Sequence, residues 1–334
     1  MILIEARNVN DALEKGIRAL KMFGREEDSR NGPVITAPEP VMTQYERPWE
    51  RVLFSAARDA NPFFHLFESL WMLAGRCDVE SVARYAARMK DYSDDGENLH
   101  GAYGFRWREW HSFDQLTELI KLLRAEPNTR RAVLGMWSPS GDLVASEGYG
   151  GVNSKDIPCN THAYFRKRGD VLDMTVCARS NDMVWGAYGA NAVHFSVLHE
   201  FMARAVGLPQ GRMYQLSNDF HIYRALPQFE ALWSGPLGLP VAYELHPVEP
   251  LVRPGELAED FLEDCDLLVA KHKYHRLDEV LNKFRTGFVR FVAAPLLLAH
   301  AAWRAGEGWS AVLDRMPPCD WRTAGRAWLE RRKK

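Results

Sequence analysis

The sequence contains no apolar run long enough to cross a bilayer, and its opening residues, Met1-Ile2-Leu3-Ile4-Glu5, have neither the basic start nor the apolar core of a signal peptide. The expectation is a soluble protein of the cytoplasm. Cysteine is scarce, with five in 334 residues. Cys77, Cys159, Cys177, Cys265 and Cys319 lack metal-ligand spacing, so no metal is expected, and an odd, scattered set does not suggest a disulfide framework. Neither sign of charge dominates, the formal net charge being -2. General attraction to nucleic acid or to a membrane surface is therefore excluded as a driving force, and any anion must be held by local arginines. A small phosphorylated substrate fits that better than DNA. There is no repeat or low-complexity tract. The glycine-rich stretches at 147–151 and 186–189 lack the context of a phosphate loop and read as turns.

A hydrophobic share of 46% is ample for a large core. Leu13, Ile17 and Leu20 recur with helical period over residues 11–23, with Asn10 or Asp11 available as a cap. Asn61-Pro62-Phe63 opens a strongly apolar helix through Leu73, placing Glu68 among Phe64, Phe67, Trp71 and Met72. A carboxylate there is paired, hydrated or protonated, unless it faces solvent. Strands are expected over 131–137, 163–166 and 171–176, the last after the turn signal Arg168-Gly169-Asp170. From Asn191, the stripe Val193, Val197, Leu198, Phe201, Met202 and Ala205 predicts a core helix ending before Gly207. After about residue 250 the character turns helical, at 256–273, 277–288, 293–305 and 321–334. The basic end, Arg331-Arg332-Lys333-Lys334, reads as a solvated tail.

Three polar blocks carry chemistry: Asp156-Ile157-Pro158-Cys159-Asn160, Arg179-Ser180-Asn181-Asp182, and Asn218-Asp219-Phe220-His221-Ile222-Tyr223. They supply a thiol nucleophile at the mouth of a hairpin, a cation for an anionic substrate, and amides, carboxylates and an imidazole able to read a polar ring. Nearby arginines are expected to favour the Cys159 thiolate. The other four cysteines read as inert small hydrophobes.

These blocks, with Arg30-Asn31-Gly32, Glu68-Ser69-Leu70-Trp71, Gly101-Ala102-Tyr103-Gly104, Trp107, and Arg130-Arg131 followed by Trp137, resemble the thymidylate synthase superfamily in order and spacing. The resemblance runs from about Arg30 to Tyr223. No single block is specific, but their conjunction is. It implies an α/β (α+β) enzyme of the thymidylate synthase-like fold, a large mixed β-sheet flanked by helices. A catalytic domain at 1–250 would be followed by a helical extension at 251–334, packed on the same domain. It also implies a pyrimidine nucleoside monophosphate substrate, 5,10-methylenetetrahydrofolate as cofactor, and a homodimer.

By this resemblance Cys159 is the covalent nucleophile, Glu68 organises proton-relay water, and Tyr103 takes part in removing the carbon 5 proton. Arg30, Arg179 and Ser180 hold phosphate, joined by Arg130 and Arg131 from the partner subunit. Asn191 reads the pyrimidine edge, provided one residue is inserted within 185–190, and its amide suits uracil, whereas cytosine-specific relatives tend to carry a carboxylate. Asn191 could instead serve only as a helix cap. His221 and Tyr223 hold the sugar hydroxyl, Asp219 supports the turn before His221, and Asp182 with Gly186 belongs to the folate site.

The family pattern is departed from in three places. Counting back from Tyr103 to the position where thymidylate synthases carry a tryptophan near the transferred carbon gives Met89, also assigned to the folate site. The short apolar tail that closes over folate is replaced by further helices, and Ala178 replaces a glutamine. Losing the tryptophan and the lid favours water over a folate hydride as the last reactant, hence a hydroxymethyl group rather than a methyl group. Ser217-Asn218-Asp219-Phe220-His221 and Tyr188-Gly189-Ala190-Asn191 also look more like the phage-type and hydroxymethylase branches. Deoxyuridylate hydroxymethylation leads; the alternatives are a thymidylate synthase, a cytidine nucleotide hydroxymethylase and a catalytically silent nucleotide-binding regulator.

Overall fold

Strands that bury alternate residues build the frame in a computed structural model describing residues 1–144, 151–235, 242–245, 247–272 and 277–332. The larger sheet has the order β1 (Ile2–Ala6), β4 (Val41–Tyr45), β9 (Gln210–Ser217), β7 (Val171–Ala178), β6 (Asn160–Arg168) and β5 (Val133–Gly135). The β1–β4 and β9–β7 pairs are parallel and the rest antiparallel, so the sheet is mixed. A second sheet, β2 (Arg25–Ser29), β3 (Gly32–Thr36), β10 (Phe220–Tyr223) and β8 (Asn181–Asp182), carries residues of the polar blocks.

Helices Val9–Phe23 and Asn191–Ala205 cover one face of the large sheet. On the other face Met42, Leu216, Tyr214, Thr175, Cys177 and Tyr164 neighbour one another across strands and are only partly buried or exposed. Helix Pro62–Leu73, buried along its whole length, packs between Asn191–Ala205 and the C-terminal helices Ala258–His272, Ala294–Ala305 and Asp320–Glu330. Buried apolar residues from Ile4 to Leu329 form one core.

Several expected boundaries shift for local reasons. The first helix begins at Val9 because Asn8, not Asn10 or Asp11, accepts from the backbone N–H groups of Asn10 and Asp11. The expected helix at 277–288 breaks, since Asp264 captures the backbone N–H groups of Arg285 and Thr286. A π-helical turn, Val289–Ala293, then leads into Ala294–Ala305. The strand expected over 131–137 is only Val133–Gly135. The basic end is not a free tail as far as Arg332: Arg331 and Arg332 both pair with Asp59, while Lys333 and Lys334 lie outside the described residues. Of the glycine-rich stretch at 147–151, only Gly151 is described.

Candidate active site

Cys159 stands just before β6, where Asn160 pairs with Ala178 at the end of β7, so the thiol is carried on the mouth of a hairpin. The next residue on β7's side, Arg179, donates its backbone N–H to the Cys159 carbonyl at 2.9 Å. Its guanidinium donates to the carbonyls of Pro158 (2.9 Å) and Ile157 (3.0 Å) and places Nη2 3.9 Å from Cys159 Sγ. From the other side the Tyr103 phenol oxygen accepts from the N–H groups of Cys159 (3.2 Å) and Asn160 (3.1 Å) and from Asn160 Nδ2 (2.9 Å). Gly101 N–H donates to Asp156 Oδ2 at 2.8 Å. Three segments distant in sequence thereby fix one sulfur.

Arg179 and Arg30 do favour the Cys159 thiolate, as the sequence suggested, but theirs is not the largest influence on it in the free protein. Burial pushes the Cys159 thiol up, and the opposing pull of Arg179 and Arg30 does not outweigh it; Asp156 adds to the rise. Burial likewise pushes Asp156 up to about 6 and raises Tyr103, so the phenol keeps its proton at neutral pH. Tyr103 can pass a proton but is not itself a ready base.

Cys159 and Ser180 line two cavities that meet at the sulfur. One, of about 260 Å³, is bounded by Glu68, Met89, Tyr103, Asp182, Gly186 and Asn191, with Phe64, Trp185 and others. The second, of about 400 Å³, is lined by Arg30, Arg179, His221 and Tyr223, with Trp137 and Asp219. The first offers amide, carboxylate and ring surfaces and the second gathers cations, a division suited to a base and a phosphorylated sugar. A still larger groove of about 1230 Å³ runs among the C-terminal helices but contains neither the thiol nor the polar blocks.

Beside the first cavity, Met183–Ala190 forms a π-helical stretch kinked at Tyr188 and Gly189, not the plain turns expected at 186–189. Asp182 starts this turn by accepting from Trp185 N–H. Buried Arg58 braces it from beneath, donating Nε to the Val184 carbonyl at 2.7 Å. Burial lowers Arg58 to about 10, so it remains a cation. The turn delivers Asn191 to the cavity as the first residue of its helix. Asn191 does not cap that helix; its Nδ2 donates to Asn181 Oδ1 at 3.1 Å, and Asn181 Nδ2 in turn donates to Ser217 Oγ at 3.0 Å. Gly186 fits because a Cβ there would lie 2.5 Å from Asn181 Oδ1. Trp185 forms another wall, with the Arg58 and Arg88 guanidiniums 5.3 and 5.7 Å from its ring centroid.

Glu68 does not face solvent. It is buried, 3.0 Å from His194 Nε2, although the pair is not aligned as a hydrogen bond. In the second cavity Arg30 sits on the β2–β3 turn, and His221 Nδ1 lies 2.9 Å from Asp219 Oδ1, so Asp219 orients the imidazole. Arg130 and Arg131 are exposed and absent from the lining of either cavity; Arg131 pairs with Glu126 at 2.8 Å. Sequence reasoning assigned no role to Arg58, Trp185, Arg88, Asn181 or His194. Only His194 left a readable signal, one helical turn beyond Asn191 and thus on the same face.

The thymidylate synthase family model matches residues 57–277. The deoxyuridylate hydroxymethyltransferase of Pseudomonas phage M6 is 46% identical over 347 aligned positions, covering 100% of this chain and 95% of that protein. The deoxyuridylate hydroxymethyltransferase of Bacillus phage SP01 is 37% identical over 58% of this chain and 51% of its own length. Thymidylate synthase from T4 phage superposes with a TM-score of 0.50 at 22% identity, covering 64% of this chain and 76% of that one, which supports the fold alone. The chain belongs to the thymidylate synthase family.

Proposed function

We propose that this protein converts deoxyuridylate to 5-hydroxymethyl-deoxyuridylate, with 5,10-methylenetetrahydrofolate as one-carbon donor. The observation that carries the reading is the junction of the two cavities at Cys159, with ring-reading groups on one side and cations on the other. The phage relative alike over its whole length supports the same reaction. Arg30, Arg179 and Ser180 hold the phosphate, and Arg130 and Arg131 join them from a second copy. The partly buried face of the large sheet is a surface on which that copy can pack. His221, oriented by Asp219, and Tyr223 hold the sugar hydroxyl. Asn191 presents its amide to uracil, anchored by Asn181.

The folate site fits its ligand on one point of geometry. Asp182 Oδ2 is buried without a hydrogen-bond partner among the described residues and belongs to the cavity wall with Trp185, Gly186 and Met89, so it can accept from pterin N–H groups. When bound, methylenetetrahydrofolate supplies the carbon at formaldehyde oxidation level. The chain's own residues do the rest. Cys159 adds to carbon 6 as the thiolate, making carbon 5 nucleophilic. Burial disfavours that thiolate in the free protein, and Arg179, with Nη2 3.9 Å from the sulfur, is the cation placed to stabilise it during attack. Tyr103, fixed by three donors, relays the carbon 5 proton through water, and Glu68 holds water at the cavity floor.

Mass spectrometry of the product from deoxyuridylate, deoxycytidylate and cytidylate, each with methylenetetrahydrofolate, tests the proposal. A product 30 mass units heavier than deoxyuridylate is expected, the difference of one CH₂O. Thymidylate with dihydrofolate would make it a thymidylate synthase, and turnover of a cytidine nucleotide alone would overturn the base assignment. Cys159→Ser is expected to abolish turnover and retain nucleotide binding.

A further inference from the structure

We propose that His194 is a positioning residue for product choice: it fixes Glu68 so that the carboxylate orients the water that attacks the pyrimidine-bound methylene. This rests on the hydroxymethylation reading. Glu68 lines the cavity beside Cys159, Tyr103 and Asn191, on a helix otherwise rich in phenylalanine, tryptophan and leucine. A carboxylate in such apolar surroundings has few groups to settle its orientation. His194 supplies one, by close contact rather than by an aligned hydrogen bond. Its Nε2 is 3.0 Å from Glu68 Oε2, and both side chains are nine-tenths or more buried. Neither ring nitrogen of His194 has a hydrogen-bond partner among the described residues. The imidazole therefore approaches the carboxylate without a competing tie, leaving the other Glu68 oxygen to the cavity.

The placement is enforced by packing. Helix Pro62–Leu73 lies against Asn191–Ala205, and His194 follows Asn191 by one turn, so the residue that reads the ring and the residue that holds Glu68 share a helix face. Arg58 and His194 both act electrostatically on the buried His65 beside them, and Asp156 is the carboxyl that feels Glu68. His65 is held neutral by burial, which leaves Arg58 as the nearby cation.

The step balances without a further reactant. Water oxygen bonds to the exocyclic methylene carbon, and the π pair of that double bond moves into the ring as the carbon 4 enolate. The water proton passes to Glu68 and on to His194 or solvent. Collapse of the enolate restores the carbon 5–carbon 6 double bond and expels the Cys159 thiolate.

The test compares His194→Phe, which removes the ring nitrogens, with His194→Gln, which keeps a donor. The substrate is deoxyuridylate tritiated at carbon 5, with methylenetetrahydrofolate present. Tritium release reports ring addition and proton loss, and 5-hydroxymethyl product reports water attack. For His194→Phe, release is expected within about threefold of the parent while product falls at least about tenfold, with an added thiol capturing the stranded methylene as a thioether seen by mass spectrometry. His194→Gln should recover part of the product. Thermal unfolding and calorimetric deoxyuridylate binding check each variant's fold. Should His194→Phe not fold, His194→Asn is read by the same ratio. Release and product falling together, or a ratio equal to the parent's, overturns the assignment. A parent enzyme that forms no 5-hydroxymethyl product instead overturns the functional proposal.

Discussion

Asn191 Nδ2 donates to Asn181 Oδ1 at 3.1 Å, so the amide that lines the cavity beside Cys159 is held by a second amide that is itself tied to Ser217. The tie selects one of the two ways Asn191 can face a ring. With Nδ2 partly engaged, Oδ1 and the remaining N–H are left to the substrate, an acceptor and a donor that complement uracil's N3–H and O4. Replacing Asn191 by Asp sets a carboxyl against Asn181 Oδ1 and removes the donor. The ratio of kcat/KM for deoxycytidylate over deoxyuridylate is expected to rise at least about tenfold, since a site built around one hydrogen-bond pattern rejects the other. A ratio that does not move assigns base reading to another residue.

Thiol reactivity separates the influences on Cys159. Asp156 raises the thiol and Arg179 lowers it, with burial the largest cause of the net rise. Asp156→Asn keeps an oxygen for Gly101 N–H but removes the negative charge, so alkylation of Cys159 by iodoacetamide at pH 7.5 is expected to accelerate about threefold or more. Arg179→Ala should slow it. Because the Asp156 carboxyl sits at about 6 in the fold, above the ordinary aspartate value, the folded protein binds more protons than the unfolded chain between those values. Asp156 therefore contributes stability at low pH that is lost as pH rises through 6. The stability difference between parent and Asp156→Asn, followed by urea unfolding, should shift in favour of the variant over that window.

The exposed Arg130 and Arg131 line neither cavity of their own chain. If they complete the phosphate site of a second copy, then Cys159→Ser and Arg130→Ala/Arg131→Ala proteins, each nearly inactive, should regain activity on mixing. Random subunit exchange yields hybrids with one intact site, up to about a quarter of the parent's specific activity for equal mixing. Sedimentation alongside the assay checks that dimers form. A fully active monomer excludes the idea.

Gly104 gives a stability prediction tied to the site. A Cβ at this position would lie 2.0 Å from the Met72 carbonyl oxygen, so Gly104→Ala forces two packed helices apart. A cost of about 1–3 kcal/mol, or more, is expected from overpacking. Tyr103 moves with it, and the phenol contacts to Cys159 and Asn160 should loosen. Calorimetry should show the lowered melting temperature, and turnover measured well below it should also fall.

How far the sequence could be read depended on the range of the interaction. The Asn61 cap, the buried helix through Leu73 and the stripe beginning at Asn191 are local patterns, and the structure reproduces them. The kinked π-helical stretch before Asn191 was not readable from spacing, because it is braced by the contact of Arg58 with Val184 and followed by that of Asn181 with Asn191. Likewise, the break at Arg285 depends on Asp264, and the fixed basic end on Asp59, partners far along the chain. The balance of influences on Cys159 was legible only in part, for a related reason. Neighbouring arginines are visible in sequence, but the burial that outweighs them arises only in the assembled fold.

Met89 occupies the first cavity's wall, on the short helical segment Ala87–Tyr92, together with Trp185 and Arg88. Its side chain is narrower than an indole and borders a cavity of about 260 Å³. A folate hydride and a water molecule compete for the same methylene, and the outcome depends on which is held closer and better aligned. Met89→Trp is expected to fill part of that cavity. The hydroxymethyl product is expected to fall at least about fivefold per tritium released, and a methyl product with dihydrofolate to appear if the hydride reaches the carbon. Chromatography with mass detection measures the first and the dihydrofolate absorbance the second. An unchanged product ratio would mean that the water approaches from the Glu68 side alone, and the role of position 89 in product choice would be withdrawn.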